Sequence, residues 1–336
     1  MFYCLTQFDL HISRLAPLLC SVGRKFLRDE SESDREMTIA LSGASGMLGL
    51  ALSQALQQQG EQVLRLVRRA PAASDEVRWD PVTGLLPEAE KLEGLGAAIH
   101  LSGANLASRR WTPAYKREMT ESRVTTTRVL AEALAKLRNP PRVLIAASAV
   151  GYYGDRGDEI LDESAALGKG FLPELCAAWE AAAEPAEVAG IRVVHLRFAV
   201  VLGPDGGALS KLVPMFRLGL GGPLRNGKQW MSWVSEGDAV SAILFALRNA
   251  KITGPINIAA PNAVTNREFT RELGRAVHRP AVIPAPAFAL RLVFGEMADE
   301  ALLASTRAVP RRLLEAGFRF EHPTLAQAFD AALNRS

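Results

Sequence analysis

Thr38-Ile39-Ala40-Leu41-Ser42-Gly43-Ala44-Ser45-Gly46-Met47-Leu48-Gly49 is a short apolar run that ends in a glycine-rich turn, and a helix-compatible run from Leu50 to Gln59 follows at once. The succession reads as strand, tight loop, helix. Gly43 can take backbone angles closed to other residues, Gly46 lets the main chain come close to a diphosphate, and Gly49 lets helix and strand pack tightly. The free N–H groups and positive dipole end of the helix would face the same anion. Gly43, Ser45, Gly46, Met47, Leu48 and Gly49 are therefore expected to line its site. The glycines are spaced G-x-x-G-x-x-G rather than G-x-G-x-x-G.

Gly60 closes this unit, and Gln62-Val63-Leu64-Arg65-Leu66-Val67 reads as the second strand. In a dinucleotide-binding fold, an acidic residue at the end of that strand holds the adenosine ribose 2′-hydroxyl. Val67 stands there instead, and Arg68 and Arg69 follow. A carboxylate repels a 2′-phosphate, whereas a guanidinium binds it with charge-assisted hydrogen bonds. The expectation is a preference for NADP(H), with Arg68 beside the phosphate; the alternative is two arginines on a solvated turn.

Residues 71–96 are rich in Pro, Gly and Glu and read as irregular. Residues 97–105 read as a buried strand ending in small side chains at Ser102 and Gly103, which suit close approach of a flat cofactor and equally suit plain packing. Thr112 and Pro113 supply an N-cap and a first helical position. Tyr115, Met119, Leu130, Leu134 and Leu137 form that helix's apolar face, and Asn139-Pro140-Pro141 stops it. Residues 142–148 are a buried strand that delivers the Ser148 hydroxyl at its end, and 149–155 continue it. Further elements are expected as a helix over 174–183, a strand over 191–203, a helix over 238–250 and a last strand over 254–259. His195, mid-strand among apolar neighbours, reads as a core or edge histidine rather than a catalytic one. Gly206-Gly207 and residues 218–223 lead to Trp230 and Trp233, a pattern that suits a lip closing on a ligand or ordinary loop punctuation.

A chain of 336 residues is long enough for about two domains. Its 48% hydrophobic and 22% charged content is ordinary for a globular protein. A net charge of +3 gives no case for a nucleic-acid partner. No uncharged apolar run reaches the about 18 residues that span a bilayer, so no membrane partner is expected either. Cys4, Cys20 and Cys176 are scattered, odd in number and without metal-ligand spacing. Neither a disulfide framework nor a metal site is expected, and a reducing cytoplasm fits. Residues 1–36 combine a basic-flanked apolar run at 15–20 with an acidic stretch at 29–36. Leu19 is too bulky for a cleavage site before Cys20, and Asp9 precedes the apolar run. The segment is expected to be a disordered extension, or translation from an upstream start with Met37 the natural beginning.

Strands alternating with helices from residue 38 to about 203 imply an α/β fold, a Rossmann-like doubly wound parallel sheet covered on both faces. Ligand then sits beyond the strand carboxyl ends, where the glycine loop, Arg68, Ser102–Gly103 and Ser148 gather. The expected organisation is a dinucleotide-binding domain over 37–203 with 236–260 returning to it. A smaller, mostly helical substrate region takes 204–235 and 261–336.

These pieces resemble an extended, atypical short-chain dehydrogenase/reductase of the NAD(P)-dependent epimerase-family subgroup. The matching residues are the loop 42–49, His100-Leu101-Ser102-Gly103, Arg109-Arg110-Trp111 with Glu118 and Ser122-Arg123, residues 148–155, Trp179-Glu180, and residues 202–207 and 216–223. Residues 310–313 and 315–318 resemble the short helical domain that closes the subgroup. The resemblance implies NADP(H) held by the loop, by Val67 and Arg68, by Leu101 and Ser102, and by Glu118, Arg123 and Val201. It also implies a small-molecule substrate, a carbonyl, alcohol or nucleotide sugar.

The wider superfamily uses a serine with a Tyr-x-x-x-Lys pair, in which the tyrosine moves a proton at the substrate oxygen. Ser148 suits the serine by position, but the pair is absent: counting back from Glu180 puts Cys176 at the lysine place and Leu172 at the tyrosine place. Relatives often carry a histidine where this chain has Ser235. Two hypotheses follow. Either the protein is a redox enzyme in which Tyr152 or Tyr153 supplies the proton, or it is a non-catalytic NADP-binding sensor or scaffold.

Overall fold

The computed structural model describes residues 37–333 apart from Val82, Leu85, Pro87 and Asp205. The extension expected over 1–36, Asp205 of the 202–207 stretch and the last three residues lie outside the described residues.

Seven strands form the main sheet: β1 (Thr38–Ser42), β2 (Gln62–Val67), β3 (Glu76–Arg78), β4 (Ala97–His100), β5 (Val143–Ala149), β6 (Arg192–Phe198) and β7 (Gly254–Ile258). Their order is β7-β6-β5-β4-β1-β2-β3, and every neighbouring pair is parallel. All seven carboxyl ends therefore lie along one edge. The chain runs outward from β1 to β3 and returns through β4 on the other side of β1, which makes the β1/β4 junction the switch point where α/β sheets bind ligands.

Covering helices are α1 (Met47–Gln58), α2 (Pro113–Thr120), α3 (Thr126–Ala135), α4 (Phe171–Ala181) and α5 (Glu236–Arg248). Strand alternation assigns the two faces. Ile39 and Leu41 pack with Leu52 and Leu56 of α1 and with Ile243 and Leu247 of α5. Ala40 and Leu144 face the other way, toward Leu130 and Leu134 of α3. Each buried Leu or Ile is worth roughly 2 kcal/mol, so neither face can be left to water. This is a Rossmann-like doubly wound sheet, followed by the mostly helical region expected of the chain's end. That region holds α6 (Asn266–Ala276), α7 (Ala287–Phe294) and two further helices, Arg311–Glu315 and Leu325–Leu333.

Five elements differ from the sequence expectation. The strand read over 97–105 ends at His100, and residues 101–105 leave the sheet as loop. β3 lies inside the stretch read as irregular; it is three residues long, too short for a period, pairs with the backbone of Arg65–Val67 and buries a single apolar side chain, Val77. The strand expected over 191–203 divides at Ala199, and Val200–Leu202 leaves the main sheet to pair with Trp233–Ser235. Neither a glycine nor a proline marks the break at Ala199, so the sequence does not show the change of partner. The continuation of β5 past Ala149 is a 3₁₀ turn over Val150–Tyr153, closed by Gly154 at φ +64°. The helix opened by Thr112, whose side chain accepts from the Tyr115 N–H, is interrupted by a π turn over Glu121–Thr125 before α3 begins.

Among the described residues no helix is long and apolar enough to cross a membrane, and no group of His, Cys, Asp or Glu is placed to hold a metal ion.

Candidate functional site

Sheet register sets the site. Ser42 stands level with Leu66 on one side and His100 on the other, so Gly43, Val67-Arg68 and Leu101-Ser102-Gly103 leave the edge side by side. Gly43 has φ +76°, and a Cβ on it would stand 2.8 Å from the Leu101 carbonyl carbon. A Cβ on Gly49 would stand 2.1 Å from the Gly43 carbonyl oxygen. Neither position can take a side chain without moving backbone. A Cβ on Gly46 would meet only the Gly43 oxygen, at 3.4 Å, and both Ser45 and Gly46 are exposed. α1 carries no acidic residue in its first turn and no side-chain cap. Its first internal bond runs from the Leu50 N–H to Gly46, leaving the preceding N–H groups aimed out of the helix end. This cradle fits a diphosphate.

The two arginines after β2 separate. Arg69 forms a two-bond pair with Glu76 of β3, at 2.7 and 2.6 Å. That guanidinium, with the Ala72 N–H, holds the Glu76 carboxyl at about 2. Arg68 is exposed and makes no side-chain bond among the described residues.

Behind the loop, buried His100 bonds Ser42 Oγ at 2.6 Å and Thr126 Oγ1 at 3.1 Å. Burial lowers its pKa to about 4, so the ring is neutral. The π turn brings Arg123 inward, where it is buried, donates to the carbonyls of Ala104 at 2.8 Å and Met119 at 3.2 Å, and lies over the Trp179 ring at 5.1 Å. A Cβ on Gly103 would be 3.2 Å from its guanidinium carbon. Arg123 thus braces the 102–104 loop from below. Val201 lies on the strand paired with Val234, and Met47 fits into space that side chains at Gly203 and Gly206 would occupy. Glu118 does not join the group; it is exposed on α2 and pairs with Arg109 at 3.2 Å.

The three candidate catalytic residues meet different fates. Ser148 is buried and turned inward, its hydroxyl donating to Glu180 Oε1 at 2.7 Å; the residue presented at the end of β5 is Ala149, half-buried. Tyr153 has no exposed surface. Its hydroxyl donates to Asn257 Oδ1 at 2.7 Å and accepts from Arg197 at 3.1 Å, and burial pushes its pKa up to about 12. Tyr152 remains half-buried, its ring stacked on the Arg197 guanidinium at 3.5 Å. Leu172 and Cys176, at the places of the missing pair, pack beneath Gly151 of the turn after β5. Burial raises the Cys176 thiol to about 12. Ser235 caps α5 by accepting from the Asp238 N–H, and it also meets Asp238 Oδ2 at 2.8 Å and His322 at 3.1 Å.

What sequence reasoning did not find is the partner of Ser148. Arg197 of β6 grips Glu180 of α4 through two bonds of 2.8 Å. The network continues through Tyr153 and Asn257 to Glu163, which accepts from the Asn257 and Arg312 N–H groups. Glu180 and Arg197 were the only signal, charges set among the buried apolar positions of a helix and a strand. His195, next to this network on β6, is buried, with Glu187 at 3.7 Å.

The model of the NAD dependent epimerase/dehydratase family matches residues 39–259, and a domain of unknown function (DUF1731) matches residues 285–332. An epimerase family protein of Mycobacterium bovis is 46% identical over 297 residues, covering 88% of this chain and 98% of the relative. The crystal structure of a human epimerase family protein with NADPH superposes with a TM-score of 0.82 at 33% identity, covering 89% of this chain and 100% of that one. A structure described as the nucleoside-diphosphate sugar epimerase from Corynebacterium glutamicum gives a TM-score of 0.74 at 34% identity, covering 95% of this chain and 63% of that one.

Proposed function

Because the chain belongs to the NAD dependent epimerase/dehydratase family, we propose that it binds NADP(H) along the carboxyl edge of the sheet and interconverts a small carbonyl and its alcohol, with a nucleotide sugar as the favoured substrate. The observation that carries the reading is the division of labour at the end of β2: Arg69 is held by Glu76, and Arg68 is left free beside the glycine loop. The human relative solved with NADPH supports the cofactor, and the relative described as a nucleoside-diphosphate sugar epimerase supports the substrate class.

When bound, NADP(H) supplies or accepts a hydride. The loop from Gly43 to Gly49 would hold its diphosphate, Arg68 its 2′-phosphate, and Leu101–Gly103, braced by Arg123, would line it together with Val201. Of the hydroxyls read from the sequence, Tyr152 is the one not enclosed by the core, and it is the group we assign to move a proton at the substrate oxygen. We place this activity in a reducing cytoplasm, where the buried Cys176 stays a thiol.

Titrating NADPH and NADH against the full chain by nicotinamide fluorescence tests the cofactor half. NADPH is expected to bind more tightly, and Arg68→Ala to close most of the gap; equal affinities in the unmodified protein would sink it. A panel of carbonyl compounds and nucleotide sugars tests the chemistry, with Tyr152→Phe expected to abolish turnover and keep NADPH binding.

A second reading, an NADP(H)-binding sensor or scaffold without turnover, is favoured by one observation: Ser148 and Tyr153 are both committed to the buried Glu180–Arg197 network. Tight NADPH binding with no turnover anywhere on the panel would select it.

A further inference from the structure

Fifteen large apolar residues stand exposed among those described, and nine of them fall in two segments, residues 215–220 and 282–294. The segments are neighbours. The Ile283 N–H donates to Gly221 at 3.2 Å, the Ala285 N–H to Pro223 at 2.9 Å, and Arg225 answers with a bond to Ala285 at 2.8 Å. α7 buries only Leu290; its Phe288 and Leu292 are 73% and 75% exposed, as Leu218 and Val282 are at 75% and 74%. Patches of contiguous apolar surface on this scale mark a place of contact. Basic residues border the patch on the side of residues 217–225 and 271–282. Arg217, Arg225 and Arg279 are exposed and have no carboxylate partner among the described residues, while Arg271 and Arg275 share the single acid Glu272.

We propose that this face docks on an anionic lipid surface. An exposed apolar face bordered by the unpaired guanidinium groups of Arg217, Arg225 and Arg279, with Arg291 of α7 held by Asp299, has the two attributes that hold a peripheral protein in the headgroup layer: apolar side chains to bury and attraction to acidic lipid. A two-fold contact with a second copy would instead bring the same three arginines of both chains to one rim, where like charges oppose association. Among the described residues no helix spans a bilayer; the contact is with its surface.

Co-sedimentation of the full chain with vesicles of phosphatidylcholine alone, or mixed with phosphatidylserine, tests the proposal. Binding is expected only with phosphatidylserine present and is expected to weaken with salt. The pair Arg217→Gln/Arg279→Gln should weaken it roughly thirtyfold and flatten the salt dependence. Phe288→Asp/Leu292→Asp should abolish it while NADPH affinity and thermal midpoint, the checks on folding, stay unchanged. Failure of the folded chain to bind acidic vesicles would overturn the proposal, as would full binding by the Phe288/Leu292 variant. A dimer in sedimentation velocity that the same variant converts to monomer, without vesicle binding, would assign the face to self-association instead.

Discussion

Arg68 and Arg69 are adjacent in the chain and have opposite uses, one held across β2 and β3 by Glu76 and the other free. A hydrogen bond to a charged group is worth roughly 1.5–3 kcal/mol. Arg68→Ala should therefore raise the NADPH dissociation constant at least about tenfold and leave that for NADH nearly unmoved, by the fluorescence titration described above. The single buried imidazole under the loop gives a second expectation. His100 has a folded pKa of about 4 against an ordinary value of 6.5. Between those values the unfolded chain binds the extra proton, so stability is fully present above about pH 6.5 and falls as pH drops, by roughly 3 kcal/mol at pH 4. Urea midpoints measured from pH 7 down to pH 4.5 should fall, and His100→Gln should remove part of that slope; equal slopes in the two proteins would exclude His100 as a source. Gly43 and Gly49 were legible in the sequence because a glycine's meaning is local, a backbone angle or a missing Cβ. The direction of the Ser148 side chain was not, because it depends on Glu180, which lies 32 residues away in the chain.

Among elements, the tie between β5, β6 and β7 decides what the tyrosines can do. Tyr153 joins Arg197 on β6 to Asn257 on β7. Removing its hydroxyl leaves a buried amide oxygen short of its donor, at a cost of roughly 1–3 kcal/mol. Tyr153→Phe should lower the urea midpoint accordingly and leave NADPH affinity intact; an unchanged midpoint with lost turnover would instead return Tyr153 to the chemistry. Helix starts were readable at Thr112 from the cap alone. The π turn over Glu121–Thr125 was not, since its register shift is stabilised by contacts such as Arg123 with the Ala104 carbonyl. The division of the strand at Ala199 escaped for a related reason: no turn residue interrupts the run from β6 into Val200–Leu202, and the choice of Trp233–Ser235 as partner is made in space.

At the scale of the molecule, cofactor binding and folding are linked. A ligand that binds only the folded chain stabilises it by about 2.7 kcal/mol at a hundredfold excess over its dissociation constant. NADPH should raise the thermal midpoint by several degrees, and NADH at equal concentration by less, in a differential scanning measurement; identical shifts would count against Arg68 as the discriminating residue. The sequence alone determined the alternation of strand and helix, the glycine loop at residues 43–49, the basic end of β2 and the missing Tyr-x-x-x-Lys pair, because each is a property of residues close together in the chain. Tertiary structure alone decided which arginine is free, that Ser148 and Tyr153 are enclosed by Glu180, Arg197 and Asn257, and that apolar side chains from residues 215–220 and 282–294 form one exposed face. No run in the chain is long or apolar enough to announce that face; it exists because folding sets two short segments side by side and leaves neither covered.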